Sequence, residues 1–163
     1  MKHKSERGQS LVELGVSLLI LLFLLAGAAE FAVLLFQYVQ LRDAAQEGAL
    51  YGSMNPTSAS WANIEARARA ASASPINLTD TSQVTVSIYM LSKAAAPEDL
   101  GTKVWENGGA ITTTTFACEG NGVRVTVSFR HNIFMPFMPQ LLGRSYIDLS
   151  ATVVDTILTP VCT

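Results

Sequence analysis

From Leu14 to Phe36 the chain runs 23 residues with a single charge, Glu30. No other feature restricts the fold as strongly. A run that meets lipid must satisfy its backbone polar groups internally, and a helix does so within one segment. As a helix it measures roughly 35 Å at about 1.5 Å per residue, against a hydrocarbon core of about 30 Å. It is long enough to cross a bilayer with some tilt. Lys2, Lys4 and Arg7 precede it. By the positive-inside tendency the N-terminus stays in the cytoplasm and the rest lies outside.

Two ways of processing such a leader compete. A secretory signal would use Leu14–Leu25 as its apolar region and the small residues Ala26–Ala28 as its cleavage site, leaving Ala29 at the new N-terminus. Against it, helical apolar spacing continues past that point. Tyr38, Leu41, Ala45, Gly48 and Gly52 step by three or four along one face, so one helix is expected to run to about Ser53. The other way starts from Arg7-Gly8-Gln9-Ser10-Leu11-Val12-Glu13. A glycine followed five residues later by a glutamate, ahead of an apolar helix, resembles the N-terminus of type IV pilins. With the later Glu30-Phe31 pair and the "AAQEGALYG" exit from the helix, the first third of the chain resembles the TadE-like pseudopilins of tight-adherence (Flp) pilus systems.

That resemblance implies a set of expectations. A prepilin peptidase would cut between Gly8 and Gln9 and leave the membrane helix on the mature chain. The cut removes Lys2, Lys4, Glu6 and Arg7, three positive charges and one negative, taking the formal net charge from -2 to -4. Glu13 would become the fifth mature residue, and its carboxylate would meet the new amine on Gln9 of a neighbouring subunit. Such a pair in low dielectric stabilises only when both partners are present. The plainer alternative is a glutamate marking the membrane boundary. Glu30 lies 17 residues further on, about 260° around the helix, so the two do not share a face. Either it reaches water near the outer headgroups or it contacts a partner pilin. The expected partners are the membrane, the prepilin peptidase, major and minor pilins and the inner-membrane assembly platform. The expected location is a bacterial or archaeal cytoplasmic membrane, single-pass, with passage into a pilus after processing. The organisation is then a leader at 1–8, a helix at 9–53 that crosses the membrane over about 14–36, and an outer domain at 54–163. A minor pilin or pseudopilin serving adhesion and biofilm formation is one reading; an anchored or secreted envelope adhesin with no filament role is the other.

The outer part reads as α+β. "GSMNPTSAS" at Gly52–Ser60 breaks the long helix. A short helix follows over about Trp61–Ser72, with Trp61, Ile64, Ala68 and Ala71 on its apolar face and Glu65, Arg67 and Arg69 mostly elsewhere. Period-two alternation marks three strands: Val84, Val86, Ile88 and Met90; Val123, Val125, Val127 and Phe129; Ile147, Leu149, Ala151 and Val153. This pattern predicts a small antiparallel sheet with one buried face, covered by the long helix in a pilin-like layout. Lys93–Asn121 is turn-rich, with a brief strand expected near Ile111–Phe116. It is either a partner-binding segment or a surface insertion.

"FMPFMPQLLG" at Phe134–Gly143 joins the last two strands. Its Phe134, Phe137, Met138 and Leu141 either fold back to cap the core or form a docking loop for the membrane or another pilin. With an outer location, Cys118 and Cys162 can form a disulfide. Closing about 45 residues, it would be worth roughly 4 kcal/mol in the chain-entropy model; two buried thiols are the alternative. The net charge of -2 leaves no basic surplus for phosphates, which argues against nucleic acid. With two histidines, no H-x-x-x-H, no phosphate-binding loop and no nucleophile elbow, no catalytic, cofactor or metal site is expected, and the chain does not read as an enzyme.

Overall fold

A computed structural model describes residues 6–55, 60–93, 100–112 and 118–158. Helix α1 spans Glu6–Met54, 49 residues without interruption. It contains no proline, and Pro56, just beyond its end, cannot extend it. The two halves of α1 have different surroundings. From Gly8 to Leu25 every residue is exposed, whereas Gln37, Gln40, Leu41, Ala44, Ala45, Gly48, Ala49, Gly52 and Ser53 form a buried stripe at three-to-four spacing. Tyr38, expected on that face, is turned out and 42% exposed.

The stripe consists largely of small residues, which lets a second layer come close. A Cβ on Gly48 would lie 3.1 Å from the Ala68 Cβ and 3.3 Å from a Val125 methyl; one on Gly52 would lie 3.0 Å from Ile64. That second layer comprises helix α2, Trp61–Ala70, capped by the Ser60 side chain accepting from the Asn63 N–H, and an antiparallel sheet. Its strands are β1 (Val84–Leu91), β2 (Thr102–Glu106), β3 (Gly109–Ala110), β4 (Gly122–Asn132) and β5 (Tyr146–Thr156), in the order β3-β2-β1-β4-β5. The second half of α1 packs on α2, β4 and β5. Leu41, Ile64, Val84, Ile88, Val104 and Val125 are fully enclosed between the layers, each contributing about 1.5–3 kcal/mol of burial. The three expected strands all form with the expected faces inward, and the α+β, helix-on-sheet class holds.

Two local expectations need correction. The first concerns Lys93–Asn121, where β2 and β3 form a hairpin that the sequence reading did not place. Trp105 pairs with Ala110 and Glu106 with Gly109, leaving Asn107-Gly108 as a two-residue turn with φ of 42° and 82°. Positive φ at both turn positions is what Asn-Gly supplies at low cost. Of the strand expected at Ile111–Phe116, residues 111 and 112 lie outside any strand and 113–116 lie outside the described residues.

The second concerns Glu65 and Arg69, set mostly off the apolar face but buried, while Ala71 lies beyond the end of α2 and is exposed. Glu65 accepts from Arg69 Nε (2.6 Å), Trp105 Nε1 (2.5 Å) and the Gly108 N–H (2.8 Å). Arg69 donates onward to the Leu78 carbonyl (2.6 Å) and to Asn107 Oδ1 (3.0 Å). Burial pushes the Glu65 carboxyl up, but the hydrogen bonds from Trp105, Arg69 and Gly108 together outweigh it and hold the group below its ordinary value. These contacts fasten the hairpin to α2. A similar clasp holds α1: the Gln40 amide both accepts from the Ile76 N–H and donates to the Ile76 carbonyl, each at 2.8 Å.

Candidate functional site

The residues singled out in the sequence fall at two levels along α1. At the lower level Gly8 and Gln9 lie in its opening turns, exposed, and a Cβ on Gly8 would meet nothing within 4 Å. No other described part of the chain packs against this position. Glu13, one turn on, is also exposed and makes no hydrogen bond or ion pair among the described residues. Around and above it Leu11, Val12, Leu14, Leu18, Leu21 and Leu22 present their side chains outward. Residues 1–5 lie outside the described residues.

At the upper level the structure overturns one expectation. Glu30 does not reach water; it is 6% exposed. Its Oε1 lies 2.7 Å from Nε2 of His131, the penultimate residue of β4, and accepts a longer bond from the Phe134 N–H at 3.4 Å. Its other oxygen accepts from the Met135 N–H at 2.9 Å. The imidazole contact becomes an ion pair when His131 is protonated. A carboxylate with three partners is satisfied in a way that a lone buried charge is not. The carboxylate that interrupts the apolar run is therefore occupied within its own chain by the β4–β5 connection.

That connection hangs down the helix from Glu30. Phe134 lies edge-on to His131, with ring centroids 6.4 Å apart. Met135 is buried, and with Met138 it lines an apolar hollow against Leu19, Ile20, Phe23, Leu24, Gly27 and Ala28 of α1. Phe137 takes a left-handed conformation, φ 66°, unusual for a bulky residue. Its ring lies 6.0 Å from that of Phe23. A short helix α3, Met138–Leu142, follows, ended by Gly143 at φ 68°. The two sequence alternatives for this loop divide between its residues. Met135 is the capping residue, though it packs on α1 rather than on the sheet core, while Phe134, Phe137 and Leu141 stay exposed at 57%, 68% and 81%. Glu30 and His131 are 101 residues apart, and neither position hints at the other in the sequence.

Cys118 is half-buried and disulfide-bonded; Cys162 lies outside the described residues. Among the described residues no group of three or more His, Cys, Asp or Glu side chains is placed to hold a metal ion.

Among the described residues one helix, Gly8–Met54, is long and apolar enough to cross a membrane, and only 6% of its most apolar stretch is buried against the rest of the chain. That stretch is open to an apolar surrounding such as a bilayer. The model of the TadE-like protein family matches residues 8–50, about a quarter of the chain. Over that segment the N-terminal helix is similar to TadE-like proteins. No curated protein and no solved structure matches the chain. The TadE-like segment contains Gly8, Glu13, Glu30 and the buried stripe as far as Ala49. The sheet and the loop that encloses Glu30 lie beyond it.

Proposed function

We propose that this chain is a minor pilin or pseudopilin of a Flp/Tad-type pilus, a structural or assembly component rather than an enzyme, serving surface adhesion and biofilm formation. It is inserted once into the cytoplasmic membrane with its N-terminus inside and its sheet domain outside. A prepilin peptidase cuts between Gly8 and Gln9, and the mature helix then meets the assembly platform and neighbouring pilins. The observation that carries this reading is the TadE-like match beginning at Gly8, on a helix that continues unbroken through Ala26–Ala29 and leaves Glu13 unpartnered among the described residues. A carboxylate near the cytoplasmic edge of a bilayer is costly while unpaired. The amine that cleavage creates on Gln9 of an adjacent subunit supplies an opposite charge, so Glu13 sets the register between subunits.

The test is the N-terminal residue of the mature protein in cells that contain a prepilin peptidase. Gln9 is expected, and Gly8→Leu should leave the chain uncut. An N-terminus at Ala29 would mean a secretory signal and end the proposal; an uncut Met1 would mean a plain anchor.

A further inference from the structure

We infer that the β4–β5 connection, residues 133–143, is embedded in the outer leaflet of the membrane, with Phe137 and Leu141 among the acyl chains and Glu30 as the clasp that holds it there. This rests on the reading of α1 as a membrane span and adds a second membrane-inserted element to it.

Depth is the first argument. Counted from Leu11, where the exposed apolar side chains begin, Glu30 lies about 28 Å along the helix at about 1.5 Å per residue. With a hydrocarbon core of about 30 Å, Glu30 stands just inside its outer boundary. Phe23, which Phe137 touches, lies about 10 Å deeper. Phe137 thus lies at the level of the outward-facing leucines of the span, and Leu141 follows one helical turn on.

Backbone bonding is the second argument. A chain within hydrocarbon cannot leave N–H groups to water, and the first part of this connection, Ile133 to Pro136, leaves none unpaired. Ile133 N–H donates to the Ser145 carbonyl and Leu141 N–H to the Phe137 carbonyl. Those of Phe134 and Met135 go to Glu30, and Pro136 and Pro139 have none. A carboxylate that takes two loop N–H groups and an imidazole is kept from lipid by the loop it holds.

Composition is the third argument. From Ile133 to Gly143 there is no charge, and Gln140 is the only polar side chain. The segment is bounded by exposed Arg144 and by Arg130, whose guanidinium lies 4.2 Å over the Tyr146 ring. Cationic and aromatic groups at the rim of an apolar element suit the headgroup layer.

The experiment uses the full chain in vesicles of phosphatidylethanolamine and phosphatidylglycerol. A nitroxide label is placed at Leu141→Cys, with Leu22→Cys on the span and Thr152→Cys on the open sheet face as references. Oxygen partitions into lipid and a water-soluble nickel chelate does not, so their collision rates report depth. The Leu141 label should match Leu22, rich in oxygen collisions and poor in chelate collisions. Chelate access at Leu141 with a lipid-like Leu22 would overturn the inference and leave the span intact. Chelate access at Leu22 would refute the span itself and the inference with it. Exclusion of both reagents at Leu141 would mean that protein covers the loop, and would also overturn it. Adding Glu30→Ala should raise chelate access at Leu141 several-fold without changing Leu22; no change would remove Glu30 as the clasp.

Discussion

The two halves of α1 are one continuous helix with two kinds of surface. Residues 8–25 are exposed all round, with leucine, valine and isoleucine on every face. Residues 37–53 are buried along one stripe and polar on the other, where Arg42, Asp43, Gln46 and Glu47 are exposed. An all-round apolar helix suits a medium that is itself apolar, and a striped helix suits a boundary between core and water. The comparison teaches that helix formation and helix environment are separate questions. Glu30 stands between the two halves and belongs wholly to neither.

The largest expected effect that separates them is a cavity. Leu41 is fully buried, so Leu41→Ala should lower the stability of the sheet domain by about 2–5 kcal/mol. Leu21→Ala, on the exposed half, should leave that stability unchanged. Denaturant unfolding in detergent, followed by the fluorescence of Trp61 and Trp105, measures both. Equal losses would show that the halves share one environment.

Overpacking comes next. Gly48→Val would press on Ala68 and Val125, already within 3.3 Å of an added Cβ, at a cost of about 1–3 kcal/mol. Gly15→Val, with nothing within 4 Å, should cost the sheet domain nothing measurable in the same assay.

The smallest effect is a pH dependence confined to the sheet domain. The Glu65 carboxyl titrates below its ordinary 4.5 when folded. The folded state therefore binds its proton less readily than the unfolded one. The stability this contributes is present above the ordinary value and is lost as pH falls through the folded value. Unfolding midpoints measured from neutral pH down to acid should fall in that window, and Glu65→Gln should flatten the slope. Helical signal from the span in vesicles should persist throughout.

Much of the fold is legible locally. Val84-Val86-Ile88, Val123-Val125-Val127 and Ile147-Leu149-Ala151 alternate as half-buried strands do, and each forms with that face inward. The β2–β3 hairpin was legible too, since Asn107-Gly108 is a strong turn signal, but it was lost within a longer turn-rich stretch. The burial of Glu65 and Arg69 is not legible locally, for a physical reason. An i,i+4 acid–base pair on a helix resembles a solvated surface pair, and only Trp105 and Gly108, some 40 residues on, show that it is enclosed.

The site divides in the same way. The expectations for Gly8, Gln9 and Glu13 come from seven neighbouring residues, Arg7 to Glu13. Glu30 could not be read so. The sequence by itself determined that a carboxylate interrupts an apolar helix, and that such a group needs water or a partner. Only the tertiary structure decided between them, because the partner, His131 with the Phe134 and Met135 N–H groups, reaches Glu30 only when β4 is laid against α1. Hydrophobic periodicity is a property of neighbours along the chain; the satisfaction of a buried charge depends on what folding brings beside it.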